Sequence, residues 1–453
     1  MKISTNIKKN IKKILQSCNL LILLLFVVSC TPALTSNTQS NFDNKKFVAE
    51  DKIYEDSIKT VQCYPKFNTK TESIQPAIIS LAQDIPLILE FDEISTKIKS
   101  YYYKLSHYNA DWTPSALVEA EYTVDYNEQR ILDNQFSSGT LVSYTHYKFV
   151  VPKVKVSGNY IIKVYRDGNE ADIVLSKRFV VYENSVNIIS KGVFSNIVSE
   201  RAENQQIDFD ISYPNYEIVN PQAAVKVVLR QNFRWDNAVI MSNAFNINEF
   251  QKLMIFTSFK GENNFKGNNE YRYFDAQSLL FTGFNVRKIS ILDSVANIIG
   301  KMPAQKLATV QLQTDELRRS YTRLQDLSGG FFINQYETQT GNISSDYVKV
   351  YFSLKTPNIN EDVFVVGKFN DFTPDATHKL TYDDKTGAYQ GNFLLKQGIY
   401  NYAYATKKDN KISETTFEGS FQATGNDYEI IVYYRPVGAR YDHIIGYKAF
   451  KVN

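Results

Sequence analysis

Cysteine is nearly absent from this chain, with three in 453 residues, at positions 18, 30 and 63. So few, with Cys63 left without an intrachain partner, exclude a disulfide framework. Histidine is as scarce: His107, His146, His378 and His443 are far apart, and none has the spacing of a zinc ligand pair. No Gly-rich phosphate loop occurs, and no Ser or Cys nucleophile sits in a recognisable elbow beside His107 or His146. Asp383 and Asp384 share a turn with Lys385 and Gly387, a solvated arrangement rather than an acid/base pair. These absences predict no enzyme, no metal and no cofactor. Long apolar runs are missing too. The run Leu20–Val28 is nine residues, short of the roughly 17–25 that cross a bilayer as a helix.

What precedes and follows that run gives it a meaning. Lys2, Lys8, Lys9, Lys12 and Lys13 come before it, and Ser29–Cys30 close it. A basic head, a short apolar stretch and a small residue form a secretory signal. A cysteine directly after it resembles the lipobox of bacterial lipoproteins, with Cys30 as the lipidated residue. The signal's five Lys and no acid lower the net charge of the remainder from +3 to −2, so basicity gives no argument for nucleic acid. Residues 30–52 are rich in Thr, Ser and Asn and read as a flexible tether. Surface-exported lipoproteins of the Bacteroidetes resemble one another in carrying an acidic run at that place; none follows Cys30, so the comparison implies anchoring on the periplasmic side of the outer membrane.

Aromatics, chiefly 31 Tyr and 29 Phe, dominate what remains and favour pleated, half-buried surfaces. The expected fold class is all-β, as tandem immunoglobulin-like β-sandwiches. Tyr160–Tyr165 and Lys177–Tyr182 flank the turn-rich Arg166–Asn169 and predict a hairpin. Ala224–Arg230, Tyr347–Leu354, Val363–Phe369, Ala388–Leu395, Ile399–Ala405 and Tyr428–Tyr434 are further predicted strands. Asp315–Asp326 is read as one short helix. The boundaries that follow are 1–29 signal peptide, 30–52 tether, 53–185 first sandwich, 186–330 second β-rich domain, 331–442 third sandwich and 443–453 tail.

Several stretches in order resemble the plug protein of the Bacteroidetes type IX secretion system. They include Asn109–Trp112, Tyr144–Tyr147, Gly158–Tyr160, Arg234–Ala238, Asn269–Asp275, Val432–Arg435 and Gly438–Asp442. The resemblance implies a non-enzymatic lipoprotein that blocks the periplasmic opening of a very large outer-membrane barrel when no cargo occupies it. Its implied partners are that barrel and, through the lipid, the outer membrane, with no nucleic acid and no small-molecule substrate.

Val366–Phe372 also resembles the carbohydrate-binding modules found beside starch-active enzymes, with Phe372 where those carry a sugar-stacking Trp. That gives the alternative reading, a glycan-binding envelope lipoprotein. The only tryptophans, Trp112 and Trp235, read chiefly as core anchors with Asp111 and Asp236 capping turns beside them. Arg234, Arg272 and Arg440 are the better candidates for partner binding, since arginine is enriched among interface anchors.

Overall fold

A computed structural model describes residues 45–324, 326–338 and 341–453. Cys30, and with it the expected lipidation and most of the tether, lie outside the described residues. From Lys52 onward the chain is built of largely antiparallel sheets with only single-turn helices between them among the described residues.

The first module packs two sheets face to face. One runs Lys52–Ile53, Ile173–Tyr182, Gly158–Arg166, Tyr101–Tyr108 and Glu128–Arg130, with Ile78–Ser80 added in parallel to Ile173–Tyr182. The other runs Ile58–Pro65, Leu87–Glu93, Thr145–Val151 and Asp133–Phe136. Tyr101, Tyr147, Tyr160 and Phe91 fill the space between them, all fully buried. The predicted hairpin is present, with Tyr165 opposite Ile173. Asp167 and Gly168 both take left-handed backbone at its tip (φ 52° and 74°), which the right-handed strand twist favours. Gly158 opens its strand at φ 153°, where a Cβ would lie 2.1 Å from His107 Nε2.

The second module closes differently from expectation. Its first sheet is Asn187–Phe194, Asn204–Ser212, Leu253–Phe256 and Asn246–Asn248. Its second sheet pairs Val225–Gln231 with Asn426–Tyr434, and that strand with His443–Val452. Ile445 and Val452 are buried in one core with Ile207 and Phe209. Two boundaries are corrected here. Residues 428–434 belong to the second module rather than the third, and 443–453 are a paired strand rather than a tail. The physical reason is completeness: Val225–Gln231 has a bare edge until the C-terminal strands return to cover it.

The third module is therefore inserted into the second. Its sheet of eleven strands extends from Arg272–Asp275 through Gly398–Lys408, Asp362–Val366, Lys379–Asp383, Ala388–Lys396, Tyr347–Lys355 and Gln305–Leu312 to Val286–Val295. Strands 272–275, 286–295 and 305–312 fall before the expected boundary at 330, so that boundary also moves. Tyr347–Lys355 alternates buried and exposed residues, the period-two pattern of a half-covered sheet. The helix expected at 315–326 is not formed. Asp315–Glu316 pairs in parallel with Leu354–Lys355 and residues 317–324 are irregular. Without an apolar stripe there is nothing to hold a helix there, and Asp315 is held instead by Arg272, Tyr402 and Tyr404.

Candidate functional site

Polar side chains that would be orphaned in a single module meet partners at the seams between modules. Between the first and third, Asp92 and Lys396 are each about 1% exposed and pair at 2.6 Å. Tyr347 donates to the same carboxylate at 2.7 Å and its hydroxyl lies 2.6 Å from Thr60. His146 Nδ1 lies 2.8 Å from Asp92, with Glu90 3.6 Å from Nε2. Burial pushes the His146 imidazole down, but Asp92 and Glu90 more than reverse this and raise it to about 9. Burial likewise pushes the Asp92 carboxyl up, and Lys396 and His146 hold it below its ordinary range. This cluster is a charged lock, since separating the modules strands charges that no longer have partners.

Between the first and second modules, Asp442 accepts from the Ala110 amide at 3.0 Å and from Arg435 at 2.7 Å. Tyr433 donates to Asn159 at 2.8 Å. Arg435 also reaches Asn109 at 2.7 Å. These bonds fix the tight loop at 109–113, which carries Trp112.

At the point where the three modules converge lies a cleft of about 380 Å³. Trp112 from the first module and Trp235 from the second meet edge to face, with centroids 4.8 Å apart at 90°. Both are half-buried, so they are neither core anchors of single domains nor freely exposed. Guanidiniums lie over the rings in a ladder. Arg178 is 4.2 Å from the Trp112 centroid and 5.7 Å from Trp235, Arg230 is 4.1 Å from Trp235, and Arg234 is 3.9 Å from Phe372. A cation over an aromatic face gains about 0.5–2 kcal/mol, most when water is excluded.

The backbone delivers these rings by an unusual route. Trp112, Phe233 and Phe372 have φ of 60°, 59° and 54°, left-handed values that cost a bulky residue about 1–3 kcal/mol each. They are the only aromatic residues in that region among the described residues, and all three line this cleft. Each sits in a turn closed by its own hydrogen bonds, as where the Phe372 amide bonds Gly367 at 2.9 Å and the Trp112 amide bonds Asn109 at 3.0 Å.

The residues singled out from the sequence divide. Arg234 and Arg272 are buried, not presented to a partner. Arg234 pairs with Asp236 and Glu414, and Arg272 with Glu418 and Asp315 at 2.9 Å each. Arg440 is exposed and ion-paired with Glu121. Phe372 is 5% exposed beneath Arg234, which takes the face a sugar would need. Cys63 is buried, and burial pushes its thiol up to about 12. His146 belongs to the lock, and His107 Nε2 lies 3.2 Å from the Ser157 carbonyl oxygen. Sequence reasoning missed Arg178. A signal existed for Arg178: Lys177 and Arg178 are adjacent charges inside an otherwise apolar strand, Ile173–Tyr182.

Residues 58–183 match the family described as Type 9 secretion system plug protein 1st domain. No curated protein matches. Among solved structures, the chain is similar to a hypothetical protein from Parabacteroides merdae ATCC 43184, known from a crystal structure at 2.30 Å resolution. The TM-score is 0.81 at 30% identity, over 90% of this chain and 100% of that one.

Proposed function

Because the chain belongs to one family with the Parabacteroides merdae protein and carries a type 9 secretion system plug first domain at 58–183, we propose that it closes the periplasmic opening of the secretion barrel. A role in type IX secretion and a place in the cell envelope follow from that domain. The finer reading is a non-catalytic lipoprotein, anchored through Cys30 to the periplasmic side of the outer membrane, that obstructs the pore until cargo arrives.

The observation that carries this reading is the family domain joined to the rest of the chain by buried ion pairs and hydrogen bonds. A plug must resist deformation. Buried charges at one seam, the shared cleft at another and a module inserted within a module all oppose hinge motion. Size is compatible as well. A barrel of about 36 strands, 4.8 Å apart and tilted near 40°, measures roughly 70 Å between backbones and some 55 Å after side chains. A compact body of about 400 residues has a radius of gyration near 21 Å, hence a diameter of roughly 55 Å. Twenty-odd tethering residues keep such a body at high local concentration without a tight contact.

Glycan binding through Phe372 loses its support, because that ring is covered. The test is purification from outer membranes through a C-terminal tag, with solute uptake measured in a deletion strain. Plugging predicts co-purification with a very large barrel and entry of solutes that are normally excluded. A purified translocon that holds its other subunits without this protein, or a deletion strain of unchanged permeability, overturns it.

A further inference from the structure

The eleven-stranded sheet of the third module ends on Val286–Val295, a strand of ten residues. From Arg287 to Val295 the backbone pairs only with Gln305–Leu312 among the described residues, so the outer side of the strand is bare. A bare edge is a row of donors and acceptors that a further strand can satisfy. Proteins commonly blunt such edges with short strands, proline or charges that repel a second copy. This edge is long, carries no proline and exposes Ile291 (51%) and Leu292 (44%). Bulges at 286–288 and 292–295 confine its regular part to 288–292. Its charges do not repel a second copy either. Arg287 and Lys288 stand at one end and Asp293 at the other, so antiparallel copies bring opposite signs together. Arg287 and Lys288 form no ion pair among the described residues, and Asp293 reaches only the exposed Lys306 at 3.9 Å.

Pleating fixes the register of such a pair. Facing residues in an antiparallel ladder share a face of the sheet, so a two-fold axis must pass through a residue position, not between two. Centred on Ile289, the axis sets Arg287 against Ile291. Centred on Ile291, it sets Asp293 against Ile289. Centred on Ser290, it sets Arg287 against Asp293 and Ile289 against Ile291, each twice by symmetry. Ile289 and Ile291 lie opposite Val310 and Ala308, both buried in the third core. The Ser290 register therefore continues that core from one copy into the next. We infer that this chain self-associates as an antiparallel dimer through Val286–Val295, with four isoleucines at the centre and an Arg287–Asp293 ion pair at each end. Ten residues a copy fall short of the roughly 20–30 that stable complexes place on each side, so the association is weak and depends on concentration. The inference does not rest on plugging, so the two fail separately.

Sedimentation velocity of the full chain over about 1–300 µM, the range in which a weak dimer dissociates, tests this. A reversible dimer is expected, and Ile291→Lys should weaken it at least tenfold by placing two ammoniums against the facing isoleucines. Arg287→Asp and Asp293→Arg, both at exposed positions, should each weaken it at least tenfold without altering the melting curve, because like charges then face each other. Mixed together, these two variants should associate with one another as tightly as the parent, since every facing pair is again opposite in charge. A chain that stays monomeric throughout the range overturns the inference. So does a dimer that Ile291→Lys leaves intact, or a mixture of the two charge variants that does not associate.

Discussion

Lys396→Met tests the lock between the first and third modules most directly. The side chains have similar length, so the change removes charge with little change of volume. Lys396 is about 1% exposed and bonds Asp92 at 2.6 Å and the Asn342 carbonyl at 2.5 Å. Breaking a buried pair by removing one partner costs about 3–5 kcal/mol. Asp92 keeps Tyr347 at 2.7 Å and His146 at 2.8 Å, which places the loss near about 3 kcal/mol while His146 is charged. The pH dependence then follows. His146 is raised from 6.5 to about 9 in the folded state, so its contribution is full below pH 6.5 and is lost as pH rises through about 9. At 1.36 kcal/mol per unit that contribution is about 3 kcal/mol. Without Lys396, Asp92 has only His146 for counter-charge, so the variant's deficit should widen toward about 5 kcal/mol above pH 9. Urea unfolding followed by far-UV circular dichroism, with midpoints compared at constant slope, measures this at pH 6 and pH 9.5. A deficit below about 1 kcal/mol, or one equal at both pH values, would refute the reasoning.

Three further outcomes follow from the same geometry. Gly158→Ala should destabilise by more than about 2 kcal/mol, since its Cβ would lie 2.1 Å from His107 Nε2 at an unfavourable φ; a thermal melt measures it, and an unchanged midpoint would contradict the close packing. Deleting residues 443–453 should expose the Asn426–Tyr434 edge and remove Ile445 from the second core, giving insoluble or protease-sensitive protein rather than a clipped but intact one. Tyr347→Phe, which loses the hydroxyl bridging Asp92 and Thr60, should cost about 1–3 kcal/mol in urea unfolding, and a neutral result would show that water fills the gap.

Much of the strand content was legible because alternation is a local property. Tyr347–Lys355 reads as a half-buried strand from its own residues, and so does the hairpin around Asp167–Gly168. Pairing is different in kind. That Val225–Gln231 lies beside Asn426–Tyr434 depends on some two hundred intervening residues folding into a module of their own, and no window of sequence carries that information. The short helix expected at 315–326 failed for a related reason: Asp315 has its place through Arg272, a residue forty-three positions away.

The candidate site divides along the same line. Trp112 and Trp235 attract notice in any sequence with two tryptophans, and reading each as a domain core anchor follows from average burial. That they face each other across a junction, with Arg178 and Arg230 over them, is decided by three modules meeting. By itself the sequence determined an all-β body and the turns that punctuate it, because these rest on period and backbone preference within a few residues. Tertiary structure alone decided which strands close the second sandwich, which arginines are buried rather than presented, and where the cleft opens. Burial and charge pairing are long-range properties, set by whichever groups packing brings within a few ångströms.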